Sequence, residues 1–194
     1  MKFLEMINLM LITFFLVMKI KQVEHEVFIY EKKYAKDILK KFKFEEYKEA
    51  STPMNQKEKL CKEDRVNKVD EGYFITLIGY LMYLIATRPD ILNVVRILSK
   101  FMHCASELHF KAAKRVIRYV KGISDFGVKC RRSKEFKPVG FSNSEWGGSI
   151  DDIRSTSSYC FTLGFVVFSW SSKKQETVAQ STIEAKFFCW NNRY

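Results

Sequence analysis

Between Phe136 and Lys186 the chain changes period in a way that few folds can accommodate. Three short β-rich runs, Phe136 to Ser142, Ser155 to Leu163 and Phe165 to Ser171, are separated by Gly, Asp and Ser clusters. Gly164 leaves room for only a tight turn between the last two. Ser181-Thr182 then provides a helix cap, and a final helix follows. The pattern predicts a small sheet followed at once by a helix.

The part before it reads differently. Phe14 to Gln22 and Glu26 to Tyr30 are rich in Val, Ile and Phe, which suit a pleated, half-buried surface, and predict two strands. From Glu31 to Phe42 the apolar residues Tyr34, Ile38 and Phe42 recur every four positions, as on a helix. Pro53 in Ser51-Thr-Pro-Met forces the chain out of helix. Asn55 to Asp70 is charged and predicts a linker or surface loop. Glu71 to Ala86 predicts a buried helix with Phe74, Leu77, Ile78, Leu81, Met82 and Ile85 on one side. Thr87-Arg-Pro-Asp breaks it, and Asp90 starts another helix running to Met102. Ser106 caps the next, with Glu107 placed well for the helix dipole and Gly122 as its stop. The fold class is therefore α+β.

The helix from Ser106 to Lys121 is the clearest candidate binding surface. At about 100° per residue, Lys111, Lys114, Arg115, Arg118 and Lys121 share roughly one third of its circumference. Such a face makes phosphate contacts without reading sequence, or is simply solvated. Lys129, Arg131, Arg132, Lys134 and Lys137 add cations at an expected strand–turn junction into the last domain. The whole chain carries 33 Lys and Arg against 22 Asp and Glu, a net charge of +11. A field of that sign attracts polyanions, nucleic acid foremost.

Five cysteines, Cys61, Cys104, Cys130, Cys160 and Cys189, are widely spaced with no Cys-x-x-Cys pair. This excludes a zinc cluster of the usual spacing and fits reduced thiols in the cytoplasm or nucleus. His25, His103 and His109 form no metal-ligand pattern and are assigned structural or solvent-facing roles. Met6 to Met18 is nearly all apolar, yet shorter than the about 20 residues that span a bilayer, and no small-residue cleavage site follows it. A buried segment is the expectation, with membrane anchoring through residues 6–18 as the alternative.

Several pieces together carry a family signature. They are Lys33-Tyr-Ala-Lys-Asp-Ile-Leu-Lys-Lys-Phe, Ser51-Thr-Pro-Met, Leu77-Ile-Gly-Tyr-Leu-Met-Tyr-Leu, Thr87-Arg-Pro-Asp-Ile and Ala112-Ala-Lys-Arg-Val-Ile-Arg-Tyr-Val-Lys-Gly. Gly140-Phe-Ser-Asn-Ser-Glu-Trp-Gly-Gly, Arg154-Ser-Thr-Ser-Ser-Tyr and Ser181-Thr-Ile-Glu-Ala-Lys follow in order. In order and spacing the chain resembles the Pol polyprotein of copia-type LTR retrotransposons, from the end of the reverse transcriptase into ribonuclease H. The resemblance implies a palm-like segment over 1–54, a helical thumb or connection over 55–132, and a truncated ribonuclease H-like domain over 133–194, a mixed sheet with its first helix. No Tyr-x-Asp-Asp run is present, so polymerisation is not expected.

The ribonuclease H part departs from the family pattern at its acids. Where the family has Asp-x-Asp-Trp this chain has Asn143-Ser-Glu145-Trp, and where it has Ser-Thr-x-Glu-Ala-Glu this chain has Ser181-Thr-Ile-Glu184-Ala-Lys186. The resemblance maps metal-binding positions onto Asn143 and Lys186, and leaves Glu145 and Glu184 as retained acids. The intact family uses Mg2+, and two-metal hydrolysis needs anionic ligands around two cations about 4 Å apart. With a neutral amide and an ammonium at those positions, no metal or other cofactor is expected. The expected function is a degenerate, catalytically inactive fragment with residual sequence-independent affinity for RNA–DNA hybrid or DNA duplex. The alternative is an active Mg-dependent ribonuclease H using Glu145 and Glu184.

Overall fold

The computed structural model describes residues 13–15, 18–24, 26–55, 60–131, 137–164 and 166–191. The architecture is α+β, with two antiparallel sheets around a helical body. The first sheet orders four strands β1 (Phe14–Phe15), β2 (Met18–Val23), β3 (Glu26–Tyr30) and β4 (Gly127–Arg131). The first three arrive in sequence, but β4 returns after the entire helical body and pairs with β3 from Glu26↔Arg131 to Tyr30↔Gly127. Lys129 and Arg131 thus stand on a strand of this sheet. Hydrophobic pattern alone could not show that, because the pairing spans the helical body. Residues 132–136 lie outside the described residues, as do His25 and most of Met6 to Met18.

The helical body consists of α1 (Lys32–Lys41), α2 (Glu71–Leu84), α3 (Leu92–Ser99) and α4 (Glu107–Gly122). Their apolar stripes meet in one core containing Ile38, Phe74, Leu77, Leu81, Val95, Leu98, Val116 and Ile117. In α2 the buried stripe is Phe74, Leu77, Ile78, Leu81 and Leu84. Met82, expected on that side, is 39% exposed, because it lies one residue past Leu81 and points a further 100° round the helix. The segment after Thr87 starts as a 3-10 turn at Pro89–Ile91 before α3. It ends before Met102, since the last turn tightens: Lys100 N donates to Ile97 O (3.2 Å) and Phe101 N to Leu98 O (3.0 Å).

The second sheet orders β5 (Pro138–Glu145), β6 (Thr156–Leu163) and β7 (Val166–Lys174), all antiparallel. Gly164, at φ +60°, makes the β6–β7 turn. The last helix, α5 (Thr182–Asn191), begins where Ser181 Oγ accepts from Glu184 N at 3.1 Å. It packs on β5 and β6 through Ala185 and Cys189, both buried. Trp170 Nε1 donates to Ile85 O (3.2 Å) and Ser172 Oγ to Asn93 Oδ1 (3.1 Å), which fasten the sheet to the helical body. Phe168 and Phe187 are exposed here, and Phe161 and Val166 are half-buried.

Candidate functional site

Asn143 and Glu145 stand on β5, Glu184 and Lys186 on α5. Strand and helix are tied together at this point. Cys189, one turn after Lys186, directs its thiol at Asn143 O (3.3 Å) and Ser158 O (3.8 Å). Gln175, nearly buried, donates from Nε2 to Ser157 Oγ (2.8 Å) and to Ala185 O of α5 (2.7 Å). Gln175 is a residue that sequence reasoning missed, since it sits just past a strand end with no motif to mark it.

The two retained acids diverge. Directly paired residues in an antiparallel ladder share a face. Asn143 pairs with Ser158, whose hydroxyl bonds Ser172 (3.0 Å), which in turn bonds Asn93 of α3. Asn143 and Glu145 therefore lie on the side of the sheet toward α3. Ser144 lies on the other side, with Ser157 and the Gln175 amide that holds α5. Glu145 lines a cavity of about 520 Å3 between α3 and the second sheet, with Asn93, Ile97, Lys100, Asp151 and Lys174. Burial lowers the pKa of Lys100 there, and Lys174 adds to this against Asp152 and Glu145. Burial pushes the Asp152 carboxyl up, but Lys174 at 2.5 Å, Ser149 and the Arg154 amide outweigh it and bring it to about 2. Glu184 turns instead to its own helix start, where its carboxylate accepts from Gln180 N (2.7 Å). Among the described residues no group of three or more His, Cys, Asp or Glu could hold a metal ion. A neutral amide, an ammonium and two divergent carboxylates do not fit a magnesium pair.

The five-cation face of α4 is largely occupied by the chain itself. Arg115 donates to Thr52 O (3.1 Å) and Thr52 Oγ1 (2.9 Å), Arg118 to Lys48 O (2.5 Å), and Lys121 to Tyr47 O (2.9 Å). Lys114 lies over the Phe110 ring at 4.1 Å. Lys111 is exposed. Three of the five thus satisfy carbonyls of the irregular segment around Ser51-Thr-Pro. Periodicity identified the face but not the loop that covers part of it.

At the other end of α4, Asp64, Ser106 and His109 form a closed polar cluster. The Ser106 hydroxyl bonds both Asp64 and His109 Nδ1, the latter at 2.9 Å, and His109 stacks on Phe101 at 4.1 Å. Ser106 holds Asp64 below the usual carboxylate range, while burial lowers His109. Ser106 and His109 are fully buried, so this is a capping device and not a nucleophile open to substrate. The Ser-x-x-His spacing, a variant of the capping-box pattern, was the available signal. His103 pairs with Glu71 at 2.7 Å on the surface.

Relatives of the chain agree with its motifs. It is 33% identical over 174 residues to the retrovirus-related Pol polyprotein from transposon RE2 of Arabidopsis thaliana, covering 90% of this chain and 12% of that protein. Against the Pol polyprotein from transposon RE1 of the same plant it is 34% identical over the same shares. It is 35% identical to the Arabidopsis mitochondrial protein AtMg00810, over 90% of this chain and 72% of that one. The chain belongs to the copia-type retrotransposon Pol polyproteins. It spans about 12% of the length of the RE1 and RE2 polyproteins. No family model and no solved structure matches it. Among the described residues of this Pol portion, no helix is long and apolar enough to cross a membrane.

Proposed function

We propose that this portion of Pol no longer hydrolyses RNA, and that it retains a sequence-independent affinity for nucleic acid. The carrying observation is the pairing of β5 with α5. Cys189 still holds the helix to the backbone of Asn143, but the two family metal positions now offer an amide and an ammonium. Glu145 and Glu184 do not form a replacement pair, since Glu145, like Asn143, faces α3 while Glu184 bonds the amide at the start of its own helix. The net charge of +11 supports the affinity, and five free thiols support a reducing compartment, cytoplasm or nucleus.

The test titrates magnesium into the purified chain with a labelled RNA–DNA hybrid and reads binding and cleavage together. Binding that weakens as salt rises, without cleavage, is the expected result. Cleavage that follows magnesium and disappears in Glu145→Gln would overturn the first half of the proposal. Salt-insensitive or absent binding to hybrid, duplex and single strand alike would overturn the second.

A further inference from the structure

The first sheet, whose β4 also meets β7, carries a cationic surface. Its register builds three cross-strand rows on one face: Lys19–Tyr30–Gly127, Lys21–Phe28–Lys129 and Val23–Glu26–Arg131. The opposite face reads Ile20–Ile29–Val128 and Gln22–Val27–Cys130. An amphipathic sheet places its aromatics with the apolar residues. Here Phe28 and Tyr30 lie among the cations instead, half-buried, with ring centroids 5.0 Å apart and planes tilted by 31°.

The cations stand on either side of these rings. Lys19 and Lys21 are exposed on β2, and the Lys129 and Arg131 side chains are 57% and 63% exposed on β4. Glu26 is the one acid in the three rows; it pairs with Lys129 at 2.8 Å and Arg131 at 3.0 Å and leaves the face net positive. Gly127 keeps the β4 side of Tyr30 uncovered. A Cβ there would lie 2.1 Å from Ile29 O and 2.7 Å from Tyr30 Cβ, so no larger residue fits.

We infer that this face is a platform for single-stranded nucleic acid, with bases on Phe28 and Tyr30 and phosphates along the Lys19–Lys21 and Lys129–Arg131 edges. The inference rests on the nucleic-acid affinity proposed above and gives it a place and a strand form. Exposed bases have π-faces that a duplex keeps stacked, and aromatic side chains flanked by cations suit them whatever the sequence. On α4, by contrast, three of the five cations already bond chain carbonyls.

The test uses the full chain and fluorescence anisotropy with a labelled oligothymidylate and its abasic counterpart. Phe28→Leu keeps apolar bulk in the sheet and removes the ring. It should weaken oligothymidylate binding by about tenfold and leave the abasic strand unchanged. Lys21→Gln with Lys129→Gln should weaken both and flatten the salt dependence. Lys33→Gln with Lys36→Gln, exposed on α1, should change neither. The helical circular dichroism of each variant verifies folding. If the wild type binds but folded Phe28→Leu and the lysine pair bind equally well, the platform is refuted and the affinity stands. If no strand binds the wild type, both are refuted. Loss of binding to phosphatidylserine vesicles alone, in the lysine pair, would assign the face to a membrane surface and overturn the inference.

Discussion

The helical body and the second sheet bury their apolar residues by different means. In the body, four helices supply stripes to one interior, and Phe74, Leu77, Leu81, Val95 and Ile117 lose all contact with solvent. In the second sheet most strand residues are half-buried or exposed, and α5 covers β5 and β6 on one side only. Its outer surface presents Ile183 at 79% and Phe187 at 56% exposure. Order there depends more on directed bonds: the Gln175 amide, the Cys189 thiol and the Trp170 indole each reach a backbone carbonyl. A core held by burial tolerates the loss of a polar contact better than a layer held by such contacts.

The sharpest way to break this contrast is to truncate one residue in each region. Phe74→Ala should cost about 3–5 kcal/mol, as for other buried aromatics, whereas Phe168→Ala, exposed on β7, should change stability by less than about 1 kcal/mol. All three tryptophans, Trp146, Trp170 and Trp190, lie in the second sheet and its helix or connections. Their fluorescence in a urea titration therefore follows that region, while helical circular dichroism follows mainly the body. Non-coincident curves would show that the two unfold separately.

A second prediction concerns Glu31, a buried acid of the body. Glu31, 3% exposed before α1, has no hydrogen-bond partner on either carboxylate oxygen. Burial pushes it up to about 7, with Thr87 pulling weakly the other way. The folded carboxyl thus keeps its proton to higher pH than an ordinary glutamate near 4.5. This contribution to stability is full below that value, falls as pH rises to about 7, and stays low above it. The loss should be on the order of 2–3 kcal/mol, and urea midpoints in Glu31→Gln should be flatter across that window. An unchanged pH profile in the variant would refute the assignment.

Gln175→Ala should then destabilise the second sheet by about 2 kcal/mol, since it strands Ser157 and the Ala185 carbonyl, with the tryptophan signal shifting more than the helical one. Arg115→Ala should have a small effect, about 1 kcal/mol, and should speed proteolysis around Ser51-Thr-Pro without moving the tryptophan transition. Equal shifts of both signals in either variant would mean that the two regions unfold as one unit.

Much of this fold was legible because its periods are local. The α4 stripe, its Ser106 cap, the Gly164 turn and the Ser181 cap are each fixed by residues within a few positions. What escaped was contact at a distance. The carbonyls that Arg115, Arg118 and Lys121 satisfy lie before α2, far along the chain. Glu145 and Glu184 both read as acids near a family motif, but only the register of β5 and the cap of α5 show that they turn away from each other. The burial of Glu31 leaves no mark in the sequence, because a Glu before a lysine-rich helix looks like an ordinary surface residue.

The placement of β4 has a consequence for how the chain reaches its native state. Strands β1 to β3 can zip locally, but the β3–β4 ladder cannot form until the loop that includes all of α1 to α4 has closed. Contacts of such sequence separation are made late and slow the search. The expected order is that the helical body assembles first and delivers Gly127–Arg131 to the open edge of β3. The same order read backwards makes β4 an early point of release when the native state breathes, and its amides should exchange with solvent sooner than those of α2.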